Sequence, residues 1–76
     1  MKKQTALKQG DLVYFCALDE TARWRVYGST IMGTHRLQGQ PGYVVKAKPV
    51  NLFRRRENLY LSVEAAKAAC AFLNRG

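Results

Sequence analysis

The hydrophobic pattern of this chain changes its period once, near Ser62, and that change constrains the fold more than any other feature. Before Ser62, apolar and polar residues alternate in short segments, as in half-buried strands. After it, an apolar stripe recurs at helical spacing among alanines, which have high helix propensity. Ser62 is a suitable N-cap, and Glu64 complements the dipole of the first turn. The sequence therefore predicts several strands followed by a helix over 63–74.

About five short strands are predicted before the helix, at residues 12–18, 23–32, 43–48, 50–53 and 59–61. Gly28 interrupts the second of them and is expected to mark a bulge or a bend. Residues 37–42 read as a loop and residues 54–58 as a charged turn. Alternation in the second strand places Trp24 and Val26 inward and Tyr27 outward.

Strands followed by one amphipathic helix predict a mainly β (α+β) domain, a small antiparallel barrel or rolled sheet with the helix over one open end. This domain is expected to span residues 10–76, after a polar and loosely ordered segment 1–9. The segments 10–15, 25–28 and 59–66 resemble the SH3-like barrels found in many small phage and plasmid proteins. The resemblance implies a binding fold and no particular function.

The excess of basic over acidic residues indicates what kind of partner the protein could bind. Thirteen Lys and Arg face five Asp and Glu, so the formal net charge is +8 in 76 residues. A surplus of this size attracts polyanions and acidic protein faces, although solvation alone can also account for it. A chain this short has a modest core, so a homodimer is a reasonable expectation.

No pattern in the sequence predicts catalysis. Cys16 and Cys70 lie far apart without the paired spacing of a zinc site, so they are interpreted as small core residues with no metal or cofactor. His35 is interpreted as a solvated loop residue, and no nucleophile signature surrounds either cysteine. Without an apolar signal segment or membrane span, the expected location is cytoplasmic, with reduced thiols. The chain is therefore predicted not to be an enzyme.

The predicted binding site follows the cations. Arg23 and Arg25 project from one face of their strand beside Tyr27, and Lys46 and Lys48 project from another strand. The full set of candidate residues is Arg23, Arg25, Tyr27, Arg36, Lys46, Lys48, Arg54, Arg55 and Arg56. Such cations neutralise phosphates and an exposed aromatic ring stacks on unpaired bases, although charged outer faces also keep sheets soluble. Three adjacent arginines should repel one another unless a partner compensates.

Two functions remain open from the sequence. The first is a nucleic-acid-binding module that contacts the backbone of DNA or RNA with weak sequence preference. The alternative is a phage- or plasmid-encoded protein-interaction module that inhibits a host protein through an acidic surface, in the manner of anti-CRISPR proteins.

Overall fold

A computed structural model describes residues 6–75 and confirms a mainly β chain with one C-terminal helix. The elements are β1 (Leu12–Leu18), β2 (Trp24–Leu37), β3 (Gln40–Val45), β4 (Leu52–Arg54), a 3-10 turn (Arg56–Asn58) and α1 (Val63–Arg75). The helix begins at the predicted residue, and the Oγ of Ser62 accepts a hydrogen bond from the amide of Ala65 at 3.2 Å. This is the N-cap geometry that the sequence predicts.

The strands form one open antiparallel sheet in the order β1-β2-β3-β4. The long strand β2 pairs with β1 through its first half and with β3 through its second half, and the register shifts between Ile31 and Gly33. Four strands are present within residues 6–75, instead of the five expected, and they do not close into a barrel. In place of a fifth strand, Tyr60 makes one bridge to Tyr14 through two backbone hydrogen bonds of 2.8 Å.

Three local predictions were wrong. His35, interpreted as a loop residue, is exposed but lies in β2, which extends to Leu37. Gly28 is paired regularly with Tyr14, and the irregularity of β2 lies at residues 31–33 instead. The expected loop over 37–42 is a two-residue turn at Gln38 and Gly39, whose φ angles of 50° and 81° are those of a tight hairpin turn. β3 therefore begins at Gln40 and includes half of the predicted loop.

The two faces of the sheet are covered differently. Opposite residues of antiparallel strands share a face, so the pair Phe15 and Tyr27 marks one face and the pair Cys16 and Val26 marks the other. The first, here called the grooved face, holds the main core cluster of Leu7, Val13, Phe15, Ile31, Val45 and Leu59. The second, here called the helix face, packs against α1.

Contacts between α1 and the helix face are close because the facing residues are small. The Sγ of Cys16 donates to the carbonyl of Ala66 at 3.4 Å, and the Sγ of Cys70 lies 2.7 Å from that of Cys16. At the end of the helix, Asn74 bonds both the amide and the carbonyl of Trp24 at 3.0 Å. Trp24 and Val26 are therefore inward as predicted, but beneath the helix. Tyr27, predicted to point outward, is exposed, although it lies on the side of the main core.

The N-terminal segment is described in part. Residues 1–5 of the segment expected to be loosely ordered lie outside the described residues. Leu7 is 7% exposed and belongs to the core cluster, and the amide of Gly10 bonds the carbonyl of Ile31 at 2.8 Å. Within residues 6–75, no helix has the length and apolarity needed to cross a membrane.

Candidate nucleic-acid interface

A groove of about 540 Å³ runs along the grooved face between residues 27–29 of β2 and residues 46–48 after β3. Its lining residues are Phe15, Ala17, Leu18, Tyr27, Gly28, Ser29, Lys46, Ala47, Lys48, Leu52 and Arg54. Three of these are cations and two are aromatic, and none is a carboxylate, histidine or cysteine. The groove therefore offers aromatic and apolar surface together with positive charge.

The aromatic part of the groove is a fixed stack. The rings of Phe15 and Tyr27 lie 6.1 Å apart between centroids at 28°, and the guanidinium of Arg54 lies 5.6 Å from the centroid of Phe15. Phe15 is 3% exposed, whereas Tyr27 is 39% exposed. Tyr27 is thus held from below by a buried ring while much of its own surface remains open to solvent.

Lys46 and Lys48 supply the exposed charge beside the groove. The backbone at Lys46 is anchored to β2, because its amide donates to the carbonyl of Thr30 at 3.0 Å and its carbonyl accepts from the hydroxyl of Ser29 at 2.5 Å. Both lysine side chains are exposed and make no hydrogen bond or ion pair to another residue of the range 6–75. Their ammonium groups are available to a ligand while their backbone is held against the sheet.

Arg25 lies on the same face as Tyr27 but is engaged by Asp19, whose carboxylate accepts from its Nε. That carboxylate also accepts from the amide and hydroxyl of Thr21, at 2.8 and 2.6 Å, and from the amide of Arg23 at 3.0 Å. The Thr21 hydroxyl, then the Arg23 amide and then Arg25 hold the pKa of Asp19 well below its usual range. Through this ion pair, Arg25 helps to hold the loop between β1 and β2.

The remaining candidate residues lie away from the groove. Arg36 spans its own hairpin and donates to the carbonyl of Gly39 at 2.9 Å. Arg55 pairs with Glu57 at 3.2 Å, and Arg56 donates to the carbonyl of Leu59 at 2.9 Å. Arg23 is exposed in the loop before β2.

The three adjacent arginines make separate contacts within the chain. Arg54 packs over Phe15, Arg55 pairs with a carboxylate and Arg56 bonds a carbonyl, so their repulsion does not require a partner to compensate it. Arg56 lines a second cavity, of about 600 Å³, together with Arg36 and His35. The predicted site residues thus fall into several places, and the structure brings together four of them, Tyr27, Lys46, Lys48 and Arg54.

Sequence reasoning missed the groove floor. Phe15, Ala17 and Leu52 read as ordinary strand residues, and nothing in their own segments distinguishes them. The informative signal is the register that sets Phe15 opposite Tyr27, and register is a long-range property of the sheet.

The thiols of Cys16 and Cys70 are buried outside the groove. Burial, reinforced by the interaction with the neighbouring Cys70 thiol, raises the pKa of the Cys16 thiol to about 12. Within residues 6–75, histidine, cysteine and acidic residues do not gather into a group of three that could hold a metal ion. Comparison with protein-family models, curated proteins and solved structures gives no match for this chain. What this protein binds is therefore inferred from the geometry of the groove.

Proposed function

We propose that this protein is a non-catalytic nucleic-acid-binding module whose interface is the groove on the grooved face. The observation that carries the proposal is that one groove joins an exposed aromatic ring, Tyr27, to the cations Lys46, Lys48 and Arg54. The net charge of +8 adds a long-range attraction for a polyanion. Lysines and arginines recognise phosphates without reading bases, so weak sequence preference is expected.

The SH3-like resemblance is part of the same proposal. The bridge between Tyr14 and Tyr60 supports it, because it gives β1 a second partner on the side away from β2. A 3-10 turn also comes shortly before that bridge along the chain.

The test measures binding of labelled single-stranded and duplex DNA and RNA by fluorescence anisotropy from low to moderate salt. Each phosphate contact on a single strand contributes about −0.7 to the slope of log affinity against log salt. The double variant Lys46→Gln/Lys48→Gln should therefore bind more weakly and flatten that slope by about 1.4.

The matched control is the double variant Lys67→Gln/Arg75→Gln. It removes the same charge from two exposed residues of α1, on the other side of the sheet. If the groove is the interface, this control should lose much less affinity than the groove variant. Equal losses would show that net charge alone attracts the ligand, and no binding at low salt to any of the nucleic acids would overturn the proposal.

The alternative, an inhibitor that occupies an acidic host protein surface, gives a different result. In a pull-down from host lysate, a nucleic-acid-dependent partner is lost after nuclease treatment, whereas a direct protein partner is retained. Retention after nuclease, together with no binding to purified oligonucleotides, would replace the proposed function with this one.

A further inference from the structure

Resting on the proposed function, we infer that the groove takes single-stranded nucleic acid and that Tyr27 is the platform on which an unpaired base stacks. The ligand class follows from the kind of surface that the groove presents. Cations alone would serve duplex and single strands equally, whereas an exposed aromatic ring beside them favours a strand with free base faces. Of the two aromatic residues that line the groove, Tyr27 is exposed and Phe15 is buried.

The platform is already in position before a ligand arrives. Tyr27 stacks on the buried ring of Phe15 at 6.1 Å, and Phe15 in turn packs beneath the guanidinium of Arg54. A ring supported in this way loses little conformational freedom when a base stacks on it, so more of the stacking free energy contributes to affinity.

Charge complementarity between the two lysines and the phosphate backbone supports a nucleic-acid strand as the ligand. Lys46 and Lys48 lie across the groove from β2, with ammonium groups that make no hydrogen bond or ion pair within the described part of the chain. A base on Tyr27 would bring the phosphates of its strand near Lys46 and Lys48, whose ammonium groups would replace counterions condensed on those phosphates. In a duplex the base faces are covered by their neighbours, so only the cation contacts would remain.

The test compares Tyr27→Leu with Tyr27→Phe, on single-stranded and duplex oligonucleotides of the same sequence. Loss of base stacking should lower the affinity of Tyr27→Leu for the single strand by about 5- to 150-fold. Tyr27→Phe keeps the ring and should bind within about twofold of the parent protein. Affinity for the duplex should change little in either variant.

Two controls separate stacking from damage to the fold. Phe72→Leu removes an aromatic ring that is 73% exposed on α1, outside the groove, and should leave binding unchanged. A single strand that contains 2-aminopurine should lose fluorescence when it binds the parent protein or Tyr27→Phe, since stacking quenches this base. Tyr27→Leu should not quench it, even at concentrations that saturate binding.

The outcomes distinguish the two proposals. If Tyr27→Leu keeps full affinity for the single strand while Lys46→Gln/Lys48→Gln loses it, the groove is an interface and the stacking platform is wrong. Equal affinity of the parent protein for single strand and duplex would overturn the inferred preference in the same way. No binding by the parent protein would overturn both.

Discussion

The two faces of the sheet are formed by alternating residues of the same strands, but they are covered in different ways. On the helix face, small side chains let α1 approach closely, and Ala66 and Cys70 are buried against the sheet. On the grooved face, a cluster of large side chains fills the centre. Beyond this cluster, Tyr27, Lys46 and Lys48 remain accessible to solvent. One face is therefore covered by a helix, and the other is left partly open to solvent.

Thiol reactivity gives the largest contrast between the faces. Cys16 is 9% exposed and burial raises its pKa to about 12, so at neutral pH much less of it is thiolate than in an unfolded chain. We expect its alkylation to be much slower in the native protein than in the unfolded chain. Mass spectrometry of timed iodoacetamide reactions measures it.

A cysteine introduced on the open face provides the control. In the variant Lys48→Cys, one thiol per chain should react quickly while Cys16 and Cys70 stay slow, because position 48 is exposed and the two native thiols are buried. Three thiols reacting at one rate would show that α1 does not protect the helix face.

Enlarging a residue under the helix tests how closely the helix face is packed. Ala66 is fully buried against Cys16, so Ala66→Leu should lower the free energy of unfolding by about 1–3 kcal/mol. Ala65→Leu makes the same change at an exposed position of α1 and should stay within about 0.5 kcal/mol of the parent protein. Urea unfolding measures both, and equal stability of the two variants would contradict close packing at Ala66.

The smallest expected effect concerns the loop that holds Arg25 on the grooved face. Because folding lowers the pKa of Asp19, its carboxylate stabilises the protein above about pH 4, and that contribution is lost as the pH falls further. Asp19→Asn should therefore have a lower urea midpoint than the parent at pH 7, and the difference should shrink towards pH 3. Glu20→Gln, an exposed neighbour in the same loop, should show no such pH-dependent difference.

Local structure was predictable wherever a segment carried its own pattern. Residues 12–18 form β1 with the expected bounds, and α1 extends one residue beyond the expected end. Cys16 and Cys70 are buried, in agreement with their interpretation as small core residues. These outcomes depend on periodicity and capping, which are properties of neighbouring residues.

The arrangement of the site was not predictable from the same patterns. Alternation separates Val26 from Tyr27, but it cannot tell which of two faces is solvent when α1 covers one and the core cluster occupies the other. The sequence suggested that the arginines at 54–56 would present their charges together in one turn. In the structure each of them makes a different contact, because the chain turns after β4. Which residues come together in the groove depends on which strands pair and in what register. Pairing and register are decided by residues that are distant from one another in the sequence.

The connection from residue 46 to residue 51 carries both lysines of the groove, Lys46 and Lys48, but belongs to neither β3 nor β4. It is tied back at its start by the bonds of Lys46 to β2, and its own amide at Ala47 bonds the side chain of Asn51 at 3.2 Å. The proposed interface is therefore divided between a connection, which carries the two lysines, and the sheet, which carries Tyr27 and Arg54. Randomising this connection in a library should diversify what the scaffold recognises while the sheet and helix remain intact.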